Sequence, residues 1–220
     1  MGVSDHCPTK SFLKASGSVV VDRCRFRNLK FSNTLSTFNN TASAVLLSGN
    51  AALRNSLIEN CSVNGLKGDG SCISTNLVPA VYASSDNARI DNCTFLCNTN
   101  MSAFGIAMGG KYANCLFYGN VSAGEVSAFS EDPASCSNCV FETGVTLPTT
   151  ASGGFTVDDP GFRPGTVVPG GRLANKGIKL EWMSRGADCQ DFYGNPRMVS
   201  KPDIGCAESD IRPGFIIITR

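Results

Sequence analysis

Apolar positions along this chain come in very short clusters, and one phrase recurs. Val21-Asp22-Arg23-Cys24-Arg25-Phe26 is followed by Leu53-Arg54-Asn55-Ser56-Leu57-Ile58, Ile90-Asp91-Asn92-Cys93-Thr94-Phe95, Tyr112-Ala113-Asn114-Cys115-Leu116-Phe117 and Cys136-Ser137-Asn138-Cys139-Val140-Phe141. The shared form is apolar, x, Asn, small, x, Phe or Ile. From Phe26 the last position advances to Ile58, Phe95, Phe117 and Phe141, at intervals of 32, 37, 22 and 24 residues. A period in the twenties built of short strands is the signature of a solenoid, and the two longer intervals read as coils with loop insertions.

Within a copy the small residue and the aromatic are two apart, as inward positions of one strand must be. The leading apolar residue lies three before the small one, which breaks the alternation. A bend therefore falls at pairs such as Asp91-Asn92 and Ala113-Asn114, and Asn suits it because it tolerates left-handed backbone angles. Stacking the copies predicts one inward column of Cys24, Ser56, Cys93, Cys115 and Cys139 and a second of Phe26, Ile58, Phe95, Phe117 and Phe141, with coils about 4.8 Å apart. Val45-Leu46-Leu47, Val81-Tyr82-Ala83 and Ile106-Ala107-Met108 read as short strands of another wall. Asn28, Asn60, Asn98 and Asn120 follow the aromatic column and predict an amide ladder at a turn, ending at Thr143-Gly144. The segments 62–79 and 98–104 read as loops. The fold expected is all-β, a right-handed parallel β-helix of at least five coils over 1–150.

Around Pro148 the pattern stops, and the Gly-, Pro- and Thr-rich stretch that follows carries the turn string Asp158-Asp159-Pro160-Gly161-Phe162, which places a boundary near 150. The segment 151–209 is expected to pack as a small C-terminal domain on the end or side of the helix and to cap its last coil, covering Val140 and Phe141. Phe162, Leu173, Ile178 and Trp182 would supply its apolar surface, and an Arg197–Asp203 pair would tie its turns. Residues 210–220 end in Phe215-Ile216-Ile217-Ile218-Thr219, a tail strand.

Only 17% of residues are charged and there are 23 glycines, which fits a chain of strands and turns rather than exposed helices. A net charge of +1 with no Lys/Arg block gives no electrostatic footprint for nucleic acid or an anionic membrane. No apolar run approaches the ~20 residues of a membrane span. Residues 1–18 lack the basic-then-apolar order of an export signal, while Val19-Val20-Val21 already reads as a strand. The expectation is that an N-terminal part, with any export signal, precedes this sequence.

Eleven cysteines are an odd count, so at least one thiol is unpaired or pairs outside the chain. Cys136 and Cys139, and Cys93 and Cys97, have spacings that zinc or redox chemistry could use. Cys93 and Cys139 already have places in the core column, and the core reading is preferred. Cys189 and Cys206 lie outside the repeat and are the candidate disulfide pair. His6 is the only histidine, and no Ser-His-Asp or Cys-His constellation can be assembled without it. Asp158 and Asp159 with Asp188 or Asp191 are candidate Ca²⁺ ligands, although Asp-Pro and Asp-Gly strings are commoner as turns; no other cofactor is expected. Elimination on an acidic sugar needs a base and a cation to neutralise the carboxylate, for which Lys67, Arg89 and Lys111 are the candidates. Scattered charges more often form a solvated surface, so no catalytic group is fixed.

The Asn-Cys-x-Phe-x-x-Asn phrases at 92–98 and 114–120 resemble the repeats of bacterial surface β-helix proteins, including the polymorphic outer-membrane protein type. Asp159-Pro160-Gly161-Phe162, Gly186-Ala187-Asp188, Asp191-Phe192-Tyr193-Gly194-Asn195-Pro196-Arg197 and Asp203-Ile204-Gly205-Cys206-Ala207-Glu208 resemble the choice-of-anchor segment that follows such helices. The chain departs from that pattern in two ways: Ala174-Asn175-Lys176-Gly177 replaces the expected Ser-Pro-Ala turn, and Cys206 stands where Ala is usual. The resemblance implies a pectate-lyase-like solenoid and surface display or secretion by a bacterium, an extracellular or cell-surface location, with a polysaccharide lyase as one activity of related helices. The function expected is a glycan-binding or adhesive module that would hold a polysaccharide or surface glycan on the ladder-faced wall and the loops 62–79 and 98–104, the alternative being a polysaccharide lyase on that same wall.

Overall fold

The computed structural model of the chain describes residues 10–32, 42–64, 78–102, 104–184, 189–197 and 201–209, and nearly all its regular elements are β-strands of two to six residues. They stack in four sheets, each taking one strand from successive coils. The first wall joins Lys10–Ala15, Ala42–Leu47, Val81–Ala83 and Ala107–Met108. The second joins Val20–Asp22, Ala52–Arg54, Arg89–Asp91, Lys111–Ala113, Ser135–Ser137 and Ala151–Ser152. The third joins Arg25–Arg27, Leu57–Glu59, Thr94–Leu96, Leu116–Tyr118, Val140–Glu142 and Phe155–Val157. The fourth joins Lys30–Ser32, Ser62–Asn64, Thr99–Asn100 and Val121–Ser122, with Glu125–Val126 added antiparallel. All other strand pairings are parallel, an arrangement compatible with a parallel β-helix.

Register follows the repeat. On the second wall Val21, Leu53, Ile90, Tyr112, Cys136 and Ala151 stand in one column. On the third, Phe26, Ile58, Phe95, Phe117 and Phe141 stand in another, which Thr156 completes. Phe95 and Phe117 are stacked with centroids 4.3 Å apart and planes 3° from parallel, and Phe141 follows at 5.4 Å and 15°. Both columns bury their rings in one continuous core.

The bend between these walls has positive φ on every coil: Arg23 52°, Asn55 46°, Asn92 51°, Asn114 54°, Asn138 50° and Gly153 66°. Four of the six are Asn, whose short polar side chain lowers the cost of the left-handed region. The next residue begins the small column. Cys93, Cys115 and Cys139 are fully buried, whereas Cys24 on the first coil is partly exposed. Each thiol lies 3.4–3.5 Å from the main-chain oxygen two residues back, and Ser56 makes the same bond at 2.6 Å to Arg54. The side-chain donor thus adds a second bond to a carbonyl that already accepts an N–H from the neighbouring coil, as Asp91 O does from Asn55 and Ala113 O from Asn92, and a hydroxyl can make that bond as well as a thiol, so Ser can stand among cysteines.

Several expectations need correction. The stack runs past 150 to Val157, through a sixth coil in which Gly153, Gly154 and Thr156 occupy the Asn, Cys and Phe positions. The expected loops at 62–79 and 98–104 contain fourth-wall strands at Ser62–Asn64 and Thr99–Asn100. The amide ladder divides in two. Asn28 and Asn60 take the positive-φ bend after the third wall, filled by Cys97 and Gly119 on the next coils, while Asn98 and Asn120 sit one position later. Only the latter two stack. The Asn98 N–H and Nδ2 donate to Asn120 Oδ1 at 2.9 and 3.0 Å, and Asn98 Oδ1 accepts from the Cys61 N–H at 3.0 Å.

Of the two placements expected for the C-terminal segment, end or side, the chain takes the side, where Leu173 and Ile204 cover Val140. The segment runs along the flank, over the corner between the second and third walls. Asn138 donates to Lys176 O, Asn114 bonds Ile178, Trp182 reaches Asp91, and Arg23 on the first coil donates to Gln190. The chain then returns, with the Cys206 N–H on Thr94 Oγ1 at 3.0 Å and the Gly205 N–H on Asn114 O at 2.8 Å. The outer face of the third wall explains the choice, since Leu57, Leu116 and Val140 point out and need cover. Leu173 and Ile204 bury Leu116 and Val140, and Val167 with Ala207 buries Leu57.

The expected Arg197–Asp203 pair is also replaced. Fully buried Arg197 pairs with Glu208 at 2.6 Å and donates to Gly205 O and Cys206 O. Asp203 instead accepts from the Asn175 and Ser209 N–H groups, and Asp191 from those of Tyr193, Asn195 and Glu208. These carboxylates fix turns, which accounts for the Asp, Asn, Arg and Glu of the two C-terminal strings.

Candidate functional site

The outer face of the second wall gathers the unusual polar groups. Strand alternation sends Arg89 and Asp91 outward on one coil and Lys111 outward on the next. Arg89 and Lys111 are register partners, so two cations stand side by side on adjacent coils. Lys111 is exposed and forms no ion pair with another described residue, while the Arg89 side chain is 38% exposed and reaches Asp91 at 3.6 Å. Like charges directly opposite each other on a sheet are destabilising.

Beside them lies a sealed cluster. Asp91, 3% exposed at its side chain, accepts from Trp182 Nε1 at 2.9 Å and has Arg54 Nε at 3.9 Å. The Arg54 guanidinium lies over the Trp182 ring, 4.8 Å from the centroid, a cation–π contact. Burial pushes the Asp91 carboxyl up to about 6, against the pull of Arg89, Arg54 and the indole. Half-protonation near pH 6 is suited to acid–base work, but the carboxyl is buried and its Oδ2 faces the indole and two guanidiniums. It is a hub that holds Arg54 and Arg89 in place. Sequence reasoning passed over Arg54 and Asp91 and read Trp182 only as apolar surface; the signal was the opposite charge at equivalent positions of adjacent copies, Leu53-Arg54 and Ile90-Asp91.

The other candidates are placed as follows. Asp158 and Asp159 line an open cleft of about 270 Å³ with Gly161, Gly170 and Arg172. Asp159 Oδ1 accepts from the Gly161 N–H at 2.7 Å, so this carboxylate closes a turn. Among the described residues no group of three or more Asp, Glu, His or Cys is arranged to hold a metal ion, and Arg172 beside the two carboxylates opposes a cation. Asp188, His6, Lys67 and the tail 210–220 lie outside the described residues. Cys189 and Cys206 are both buried and both free, and burial pushes the Cys206 thiol up to about 12. No helix among the described residues is long and apolar enough to cross a membrane.

Comparison with known proteins finds no matching family model, no matching curated protein and no matching solved structure.

Proposed function

We propose that the chain belongs to a secreted or cell-surface protein in which a right-handed, pectate-lyase-like parallel β-helix presents the outer face of its second wall to an acidic glycan. The observation that carries the reading is the Arg89–Lys111 pair, two outward cations on adjacent coils of a rigid sheet. Sugar carboxylates or sulfates along an extended polymer could bridge such a pair, and charge-assisted hydrogen bonds would hold them. Trp182, partly exposed and fixed by Asp91, adds an apolar edge of the kind that sugar rings pack against. The resemblance of the Asn-Cys-x-Phe repeats to bacterial surface proteins supports the location.

The second reading is a polysaccharide lyase on the same face, favoured by the exposed Lys111 amine as base beside Arg89 as carboxylate neutraliser. Binding is preferred because Asp91, the perturbed acid nearby, is buried and its Oδ2 already accepts from the Trp182 indole. The test is affinity electrophoresis and calorimetry with polygalacturonate, heparin and neutral dextran. Retention by the acidic polymers alone, lost in Arg89→Ala/Lys111→Ala, is the expected result. Equal retention of dextran, or no retention, would overturn it. Ultraviolet absorbance from an unsaturated product would replace binding by lyase activity.

A further inference from the structure

We infer that anion binding on the second wall is gated by protons: Asp91 and an external anion compete for the Arg89 guanidinium, so acidic polymers are held tightly in mildly acidic solution and released toward neutrality. The inference rests on the reading of this wall as an acidic-glycan surface.

The competition follows from the place of one side chain. On its own strand Arg89 has Asp91 two residues on, with Nη2 3.6 Å from Oδ2, and on the next coil its register partner is Lys111. The Asp91 side chain is 3% exposed and that of Arg89 38%. The acid therefore reaches the guanidinium from beneath the surface, while solvent keeps the outer side. An anion that bridges Arg89 and Lys111 comes close to a buried like charge, with little water between the two to screen it.

The surroundings leave Asp91 as the group that sets this repulsion. Its outward column runs Asp22, Arg54, Asp91, Ala113, Ser137 and Ser152, and the column of Arg89 runs Val20, Ala52, Arg89, Lys111 and Ser135. Asp22 and Asp91 are the only acids among these residues. Asp22 lies beyond Arg54 and is held by Arg23 at 3.2 Å and by Asn55 Nδ2 at 2.8 Å. From the flank, Trp182 Nε1 donates to Asp91 Oδ2, and Glu181 of the same turn is exposed. From the next coil the ionisable group on the core side is the buried Cys115 thiol.

The direction of the pH effect is fixed by this arrangement. Burial raises the Asp91 carboxyl to about 6, against the pull of Arg89 and Arg54, so it is charged at neutrality and protonated in mild acid. With the proton on, Arg54, Arg89 and Lys111 face an incoming anion without an opposing carboxylate. An anion bound beside Asp91 in turn holds that proton more tightly, so binding takes up a proton and weakens as pH rises through about 6.

Calorimetry of the full chain with heparin, whose sulfates stay ionised throughout, tests the gate. Between about pH 5 and about pH 8 the affinity should fall by about tenfold, the size of one close like-charge repulsion near a surface. In Asp91→Asn it should be flat and as tight as in the wild type at the acid end. Glu208→Gln, which removes a flank carboxyl raised to about 8, should keep the wild-type fall. His6, the only histidine, is present in every chain, so a fall that it caused would persist in Asp91→Asn. Should Asp91→Asn fail to fold, the reciprocal effect in the wild type decides: saturating heparin should raise the pH midpoint of Trp182 emission, and an unmoved midpoint overturns the gate. Binding that is equally tight across the range, or that still falls in Asp91→Asn, overturns the gate and leaves the acidic-glycan reading standing. Absence of heparin binding at every pH overturns both.

Discussion

Asn114 holds Ile178 by both of its main-chain groups: its Nδ2 donates to Ile178 O at 2.8 Å and its Oδ1 accepts from the Ile178 N–H at 2.8 Å. One side chain at a solenoid corner thus stands in for a strand partner and pins the flank segment. The same residue has φ of 54°, so it serves both the bend and the docking.

These two roles can be separated by substitution. Asn114→Gly keeps the left-handed backbone and removes only the amide, at a cost of about 1–3 kcal/mol from the two bonds to Ile178 and the longer one to Asn92 Oδ1. Asn114→Ala adds about 1–2 kcal/mol for the left-handed β-carbon. Thermal unfolding should rank wild type above Gly above Ala, and hydrogen exchange should show residues 173–183 opening first in Asn114→Gly. Unchanged exchange there would show that the apolar contacts alone hold the segment.

The thiols should divide by depth. Burial pushes Cys61 up to about 11 and Cys206 to about 12, and raises Cys93 and Cys139 well above the usual thiol range. Cys97 is exposed. Under native conditions an alkylating agent should modify Cys97 and leave Cys61, Cys93, Cys115, Cys139 and Cys206 untouched until the chain unfolds. Mass mapping of labelled peptides reads this directly, and early labelling of Cys115 would contradict the burial of the column. Cys115→Ser should be tolerated better than Cys115→Ala, since Ser56 already makes the carbonyl bond in that column.

Much of this was legible in the sequence because a strand column repeats its chemistry on every coil. The Cys and Phe columns and the Asn bends recur at fixed offsets, and the structure stacks them in register. The fourth wall left no such trace, because Thr99–Asn100 and Val121–Ser122 are too short for alternation to register. The sixth coil was hidden by its substitutions, as Gly153 satisfies the bend without Asn and Thr156 holds the aromatic's place. Trp182 lies 91 positions from Asp91, and Arg197 had acids at both 203 and 208 within reach. Such choices belong to the packing of the flank segment, where no repeat exists to read.

Stability should fall as pH rises above mid-acid. Burial moves the Glu208 carboxyl from 4.5 to about 8, with Arg197 pulling the other way. The folded chain then holds this proton more tightly than the unfolded chain. Its contribution is full below about pH 4.5 and is lost as pH rises through about 8. Glu208→Gln, which cannot ionise, should flatten the thermal-midpoint profile across that window while lowering it at acid pH, since Gln replaces one of the oxygens that hold Arg197 and the Asp203 N–H. A profile as steep as that of the wild type would exclude Glu208 as the source.

Trp182 is the only tryptophan, so fluorescence reports on one place, where its Nε1 donates to Asp91 Oδ2. Burial raises the Asp91 carboxyl from 3.8 to about 6, which places its titration inside the range where the fold can be examined. Protonation removes the charge that Arg54 and Arg89 face and weakens the hydrogen bond to the indole. Emission should therefore change with a midpoint near pH 6, and the change should be absent in Asp91→Asn, which keeps an oxygen for the indole but cannot titrate. Trp182→Phe should leave Arg54 stacked on a ring while removing one donor to the carboxylate, lowering the thermal midpoint most above pH 6, where Asp91 is charged. If Asp91→Asn keeps the same emission midpoint, the titrating group lies elsewhere, and Asp91 does not set the charge on the second wall.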